Sequence, residues 1–404
     1  MKVGGWQLHE THGTVRCELA LRWEDRDHPD SVAWVEWPAE GASALVVDAQ
    51  AALLAAYPLA LWHGERRLQL DGEVCPRLAD HTRTAMALLA EWVPGVRAPA
   101  LEVTERPPSA GGPPVPDRVA ALCLSGGVDA LAALQANRAQ FPPGHAARYR
   151  AGIFAFGLNS YDIGDDGRPR PERLRAYQEH GARLAQLAEH CGLRLVRVAS
   201  NLRSLYPSFE AWGAVAHASP LAAFGHILRR QVRSLAIANA GAGVGAGIVP
   251  HPLLDPWYSS HDLDVHAVHA TLPRLEKVRA LTEWPEALSA LRVCYLIDLP
   301  PEGERNCGRC EKCLRTMVQL LAVGGDALAR APFPTRDVTP HDLQRIRFDG
   351  LAARIFFREV LPALEGQGRD DLAAVIRQRL ARDEPSPATP ETVAGRMRRW
   401  WRGR

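Results

Sequence analysis

Val119-Ala-Ala-Leu-Cys-Leu-Ser-Gly-Gly-Val-Asp129 is the stretch that decides how this chain is read. A short apolar run, Val119–Leu124, has the composition of a buried strand and ends abruptly at Ser125-Gly126-Gly127. Helical composition, Ala130–Arg138, begins directly after Asp129. Two glycines at such a junction let backbone N–H groups turn inward with no Cβ in the way. The first turn of the following helix adds the positive end of its dipole. Phosphate is the natural occupant of such a loop. The loop lacks the Gly-Lys-Ser/Thr ending of a Walker motif.

Working outward, strands and helices alternate. Ala151–Gly157 reads as a second strand, Glu172–Cys191 as a long helix and Arg194–Ala199 as a third strand. Pro220–Val232 reads as a further helix and Ser234–Asn239 as a fourth strand. This alternation predicts an α/β fold with a doubly wound parallel sheet. Upstream, residues 1–106 read as an N-terminal α+β domain, with strands at Val15–Trp23 and Val32–Trp37 and a helix at Arg77–Trp92. Leu59–Leu70, with Gly64-Glu65 at its centre, reads as a hairpin. Seven prolines and glycines between Glu105 and Asp117 predict a linker before a second domain at 118–330. The third region, 331–404, reads as helices (Thr339–Arg347, Leu351–Leu364, Asp371–Arg382) followed by a tail of five arginines around Trp400 and Trp401.

The 404 residues balance 48 basic against 46 acidic side chains, for a net charge of +2. That balance gives no whole-molecule reason to expect nucleic acid. The amino-terminal residues carry no apolar signal-peptide core, and the most apolar window, Ala44 to Trp62, contains Asp48, Gln50 and Pro58. A cytoplasmic protein is expected. Lys2, Lys277 and Lys312 are the only lysines beside 45 arginines, so a retained lysine carries some information.

A second glycine run, Asn239 to Gly247, follows the fourth strand and is followed by Val249-Pro250-His251-Pro252 rather than a helix. The dinucleotide-binding reading is rejected for that reason. A polar stretch then gathers His251, Asp255, Tyr258, Ser259, Ser260, His261, Asp262, Asp264, His266 and His269, and it is expected to form a base-recognising or Mg²⁺-binding loop. Arg274, Glu276 and Lys277 come next. The compact Lys277 ammonium is suited to neutralising a departing polyphosphate, with a surface ion pair to Glu276 or Glu283 as the alternative. Asn159, Tyr161, Asp162, Ser200 and Asn201, at the ends of the second and third strands, are further candidates for nucleotide or substrate contact.

Cys307-Gly-Arg-Cys310-Glu-Lys-Cys313 places three thiols at steps of three, with Cys294 twelve intervening residues upstream. Such spacing lets four thiolates converge on one ion, and Zn²⁺ is the usual structural outcome. The same ligands serve an iron–sulfur cluster. Arg309, Lys312 and Arg315 would offset the net charge of a zinc tetrathiolate.

The Ser-Gly-Gly-X-Asp loop resembles that of the PP-loop ATP pyrophosphatases. Together with Cys…Cys-X2-Cys-X2-Cys it resembles the 7-cyano-7-deazaguanine synthase (QueC) group of that superfamily, over about residues 118–325. Ala130 stands where that pattern carries a hydroxyl. The resemblance implies a PP-loop fold, ATP held at Ser125, Gly126, Gly127, Val128, Asp129 and Asn159, and chemistry assisted by Asp129, Lys277 and Arg274. It implies Mg²⁺ with the ATP and one structural Zn²⁺ on Cys294, Cys307, Cys310 and Cys313. The implied activity is adenylation of a carboxylate of the 7-deazaguanine type, followed by amide or nitrile formation with release of AMP and pyrophosphate. Enlarged QueC-like proteins also resemble components of bacterial anti-phage operons, where the activation is turned on another acceptor. Two alternatives remain: a PP-loop tRNA thiotransferase with an iron–sulfur cluster, and a nucleotide-binding partner subunit without turnover. Expected partners are a small carboxylate substrate and an amine donor, a protein acceptor or operon partner, and a second copy of the chain. Neither a membrane nor nucleic acid is expected.

Overall fold

The computed structural model describes every residue except 12, 107–116, 217, 242–249, 295–304, 349–350 and 383–404. The proline- and glycine-rich linker, most of the second glycine run and the arginine–tryptophan tail therefore lie outside the described residues.

Eleven strands form one sheet: β1 (Lys2–Val3), β2 (Gln7–Thr11), β3 (Thr14–Arg22), β4 (Ser31–Pro38), β5 (Arg67–Val74), β6 (Ala100–Glu105), β7 (Val119–Cys123), β8 (Tyr149–Phe156), β9 (Arg194–Ser200), β10 (Val232–Ala238) and β11 (Asp264–Val268). Their order is β11-β10-β7-β8-β9-β4-β3-β1-β5-β6, with β2 added to β3. Neighbours from β11 through β9 are all parallel, as are β1, β5 and β6. The sheet is mostly parallel; β4 is antiparallel to both β9 and β3. The first 106 residues do not build a sheet of their own, because Val35 and Glu36 of β4 pair with Ser200 and Ala199 of β9.

The principal helices are α1 (Ala49–His63), α2 (Pro76–Trp92), α3 (Val128–Gln140), α4 (Pro171–His190), α5 (Phe209–Val215), α6 (Ala218–Ile227), α7 (Arg274–Thr282), α8 (Pro285–Ala290) and α9 (Glu311–Val323). They cover both faces of the sheet. One core holds residues of α1, α2, α5 and α6, and the other holds residues of α3, α4 and α7–α9 together with the helices beyond residue 330. Strand β7 feeds both, sending Ala121 into the first core and Ala120 and Leu122 into the second. Burial on both faces explains why β7 reads as a continuous apolar run rather than an alternating one.

The hairpin expected over Leu59–Leu70 is instead the end of α1 and the start of β5. Asp48 caps the start of α1 by accepting from the Gln50 N–H, and Gly64 closes its end at φ +73°. The glycine is a left-handed helix cap, and the sequence alone does not separate that from a hairpin turn. Every residue from Ala49 to Leu61 is buried, so α1 shows no amphipathic rhythm to be read. Four strands (β1, β2, β6 and β11) are additions to the sequence reading. Among the described residues no helix is long and apolar enough to cross a membrane.

Candidate functional site

The chain leaves β7 towards β8 on one side and leaves β10 towards β11 on the other, so the connections diverge between these adjacent strands. In open α/β sheets the crevice beyond the carboxyl ends at such a point is where ligands bind. Ser125-Gly126-Gly127 follows β7 and leads into α3, with Gly127 as its N-cap. Gly126 sits at φ +77°, and a Cβ there would meet His180 Nε2 at 2.4 Å. Only glycine fits that approach.

The loop is braced from behind. His180 Nε2 donates to Ser125 O at 3.1 Å, the Arg292 N–H donates to Gly126 O at 2.9 Å, and the Gly127 N–H donates to Ser125 Oγ at 3.2 Å. Ser125 is exposed, whereas Gly126 is buried against His180. Burial, with the Arg292, Arg305 and Arg183 charges, pushes His180 down to about 4 against the pull of its bond to Ser125 O. The imidazole is thus neutral at pH 7, with its proton on the nitrogen that faces the carbonyl. Nothing in the sequence marked His180 beyond its place on a helical face.

Asp129, in the first turn of α3, binds two cations from α7. Arg274 Nη1 lies 2.5 Å from Oδ2, and Lys277 Nζ lies 3.3 Å from Oδ1 and 2.5 Å from Asn239 O. Lys277 is fully buried, whereas the Asp129 side chain keeps 23% of its surface. Burial raises the Asp129 carboxyl, and Arg274 and Lys277 more than reverse this, leaving it below the ordinary carboxylate range. Burial holds Lys277 below its usual value, partly offset by Asp129. Lys277 therefore pairs across the fold, while Glu276 pairs with Arg279 at 3.4 Å. The surface alternative for Lys277 is not the arrangement found. Ala130 is 4% exposed and packs in the second core, so this position offers no hydroxyl to the loop.

Most of the remaining sequence candidates already have partners within the fold. Asn159 is engaged with Asp162, donating to Oδ2 from its N–H at 3.1 Å and from Nδ2 at 3.4 Å. Asp162 itself holds Arg173 in a buried ion pair. Tyr161 is exposed. Asn201 ties β4 to β9 by accepting from the Trp34 N–H and donating to Val32 O, and Ser200 Oγ accepts from the Leu202 N–H.

Half of the residues in the polar stretch expected to form a ligand loop are interior scaffold. His251, Asp255, Tyr258, Ser259 and Ser260 are all buried. Ser259 Oγ accepts from the Val265 N–H, and Ser260 Oγ accepts from the N–H groups of Asp262 and Leu263. Asp264 and His266 lie in β11. His261 Nδ1 is 3.5 Å from Cys75 Sγ, and Asp262 pairs with Arg106. His269 sits at φ +58° just past β11. Side chains that look solvated by composition are consumed in closing turns under α1 and α2.

The four clustered cysteines do converge. Sγ atoms of Cys294, Cys307, Cys310 and Cys313 all lie within 4.8 Å of one another, a group that can hold a metal ion. The Cys307–Cys313 separation is 3.8 Å. Tetrahedral bonds of the usual zinc–sulfur length put sulfurs about 3.8 Å apart, so the spacing is compatible with zinc. Backbone N–H groups of Arg309 and Cys310 donate to Cys307 Sγ, and that of Cys313 donates to Cys310 Sγ. Such bonds favour thiolates. The other four cysteines stay dispersed as free thiols.

Asn306, fully buried, joins the thiol-bearing segments. Its Oδ1 accepts from the N–H groups of Val293 and Cys294, and its Nδ2 donates to Leu291 O and Pro332 O. All four of its hydrogen-bonding positions are used. Because Arg292 also bonds Gly126 O, the segment Leu291 to Cys294 links the cysteine group directly to the glycine loop. Sequence reading passed over Asn306; its place beside Cys307 was the available signal.

No protein-family model, curated protein or solved structure matches this chain.

Proposed function

We propose that the protein is an AMP-forming ligase of the PP-loop type, activating a carboxylate of the 7-deazaguanine class with Mg–ATP and passing it to an amine. The observation that carries this reading is the glycine loop, exposed at Ser125, at the sheet's switch point with Asp129, Arg274 and Lys277 gathered at its helix end. Backbone N–H groups at the start of α3 and the helix dipole favour phosphate there. Asp129 is already engaged by two cations, so its role is to hold Arg274 and Lys277 in place rather than to stand free as a magnesium ligand.

In the first step a carboxylate oxygen attacks the α-phosphorus, the bond to the bridging oxygen breaks, and pyrophosphate leaves with the electron pair. Arg274 and Lys277 neutralise the charge developing on the phosphates. In the second step an amine attacks the acyl carbon and AMP departs, leaving an amide once the nitrogen loses its proton. A nitrile product requires removal of water from that amide with a second ATP. Positioning supplies most of the rate, as expected where no side chain forms a covalent intermediate. Cys294, Cys307, Cys310 and Cys313 would hold zinc, which when bound cross-links two chain segments without entering the reaction.

The test is mass spectrometry of products after incubation with ATP, ammonia and 7-carboxy-7-deazaguanine, alongside metal analysis. AMP and an amide or nitrile are expected, with a colourless protein carrying one zinc. Asp129→Asn should lower AMP formation by about 10²–10³-fold, the usual loss for a positioned charge stabiliser. Undiminished turnover in that variant overturns the assignment. The buried methyl of Ala130 favours one second reading, nucleotide binding without turnover. ATP binding with no pyrophosphate release from any carboxylate would select it.

A further inference from the structure

The two cations on Asp129 share one helix, α7, whose start is held from the far end of the chain. α7 opens at Pro273, which offers no side-chain cap. Its first-turn N–H groups therefore need an acceptor from elsewhere. Glu359 supplies one, because its Oε1 accepts from the Leu275 N–H at 2.7 Å. A carboxylate at that place also favours the positive end of the α7 dipole. Glu359 ends the helix Leu351–Glu359, in the region that the sequence reading left without any part in the site.

Phe356 lies one turn earlier on the same helix and is 2% exposed. Its ring takes two guanidiniums, with Arg274 Cζ at 5.4 Å and Arg315 Cζ at 4.8 Å from the centroid. Both separations are within cation–π reach. Arg315 belongs to α9 and pairs with Glu311 at 3.3 Å. Arg274 bonds Asp129 through Nη1, and among the described residues its buried Nε has no hydrogen-bond partner. Asp129 thus fixes one corner of that guanidinium, and the Phe356 ring packs against it.

We infer that Glu359 and Phe356 are positioning residues that set Arg274 and Lys277 against Asp129. Glu359 fixes the start of the helix that carries both cations, and Phe356 fixes the reach of Arg274. The helices beyond residue 330 thereby complete the site. The inference rests on the adenylation reading for what the cations act on, not for how they are held.

The experiment labels the full-length protein with phenylglyoxal, an arginine-directed dicarbonyl, and reads Arg274 by peptide mass spectrometry against exposed Arg66. Glu359→Ala should speed Arg274 labelling about tenfold, the usual worth of a charge-assisted hydrogen bond. Glu359→Gln keeps an acceptor oxygen and loses only the charge, so it should stay within about threefold of wild type. Phe356→Leu should speed labelling about fivefold. In AMP formation, Glu359→Ala and Phe356→Leu should lower kcat about tenfold with the KM for ATP within about twofold, since a displaced Arg274 fails as charge develops. Glu365→Ala, which loses an exposed pair with Arg377, should change neither reading. Thermal melts confirm that each variant is folded. Unchanged Arg274 labelling in the folded variants, or equal effects of Glu359→Gln and Glu359→Ala, overturns the inference. Faster labelling without AMP formation from any carboxylate supports the positioning role and sinks the adenylation reading alone.

Discussion

Asp129 and Asp162 each lie six residues beyond the end of a strand, β7 and β8, and these strands are parallel neighbours. Their surroundings differ in kind. Asp162 is closed: Oδ1 takes Arg173 Nε and Nη2 at 3.1 and 3.0 Å, and Oδ2 takes the N–H groups of Gly157 and Asn159 at 3.1 Å. All these partners come from within eleven residues, and the side chain keeps only 6% of its surface. Asp129 draws its partners from 145 and 148 residues away and keeps 23% of its surface. A carboxylate saturated by local donors stabilises a turn. One that gathers distant cations at a strand end ties two helices together, here α3 to α7.

The largest expected effect tests the closed member. Asp162→Ala leaves the Arg173 guanidinium buried without its carboxylate and should cost about 3–5 kcal/mol in denaturant unfolding. A loss under about 1 kcal/mol would break the comparison.

A third carboxylate sharpens it. Asp255 accepts from the His251 N–H, has an Oδ2 without a hydrogen-bond partner among the described residues, and is pushed up to about 7 by burial. Its folded value exceeds its unfolded one, so the folded state binds more protons between the two. Stability therefore falls as pH rises from about 4 to about 7 and stays reduced above that. Asp255→Asn should stabilise the protein by up to about 4 kcal/mol at pH 8, with the gain fading towards pH 4. A pH-independent effect in thermal melts taken across that range would show that Asp255 does not carry this penalty.

The smallest effect concerns Asn159. Its backbone N–H would still serve Asp162 in Asn159→Ala, so only the 3.4 Å side-chain contact is lost. The variant should lose about 1 kcal/mol or less, with the KM for ATP unchanged. A severalfold rise in that KM would show that the Asn159 side chain serves nucleotide as well as Asp162.

Much of the parallel half was legible because its signals are local. The β7 run, the glycine pair and the periodicity of α4 each fall inside a short window, and the cysteine spacing brings its own geometry. The N-terminal half was harder to read. Helix α1 is buried on every side and carries no amphipathic period, and Lys2–Val3 is too short to register as a strand until β3 and β5 flank it. The polar stretch from His251 to His269 was hard to read for the opposite reason: composition suggested a ligand loop, while burial turned Asp255, Ser259 and Ser260 into turn closures.

By itself the sequence determined an α/β order, a glycine-ended strand suited to phosphate, and four thiols able to meet, since each depends on residues near one another in the chain. Tertiary structure alone decided that Lys277 pairs with Asp129, that His180 and Arg292 brace Gly126, and that Asn306 ties the thiols to the loop. Those contacts join segments far apart in the chain, and their energetics depend on burial, which arises only once the sheet and both helical layers have closed around them.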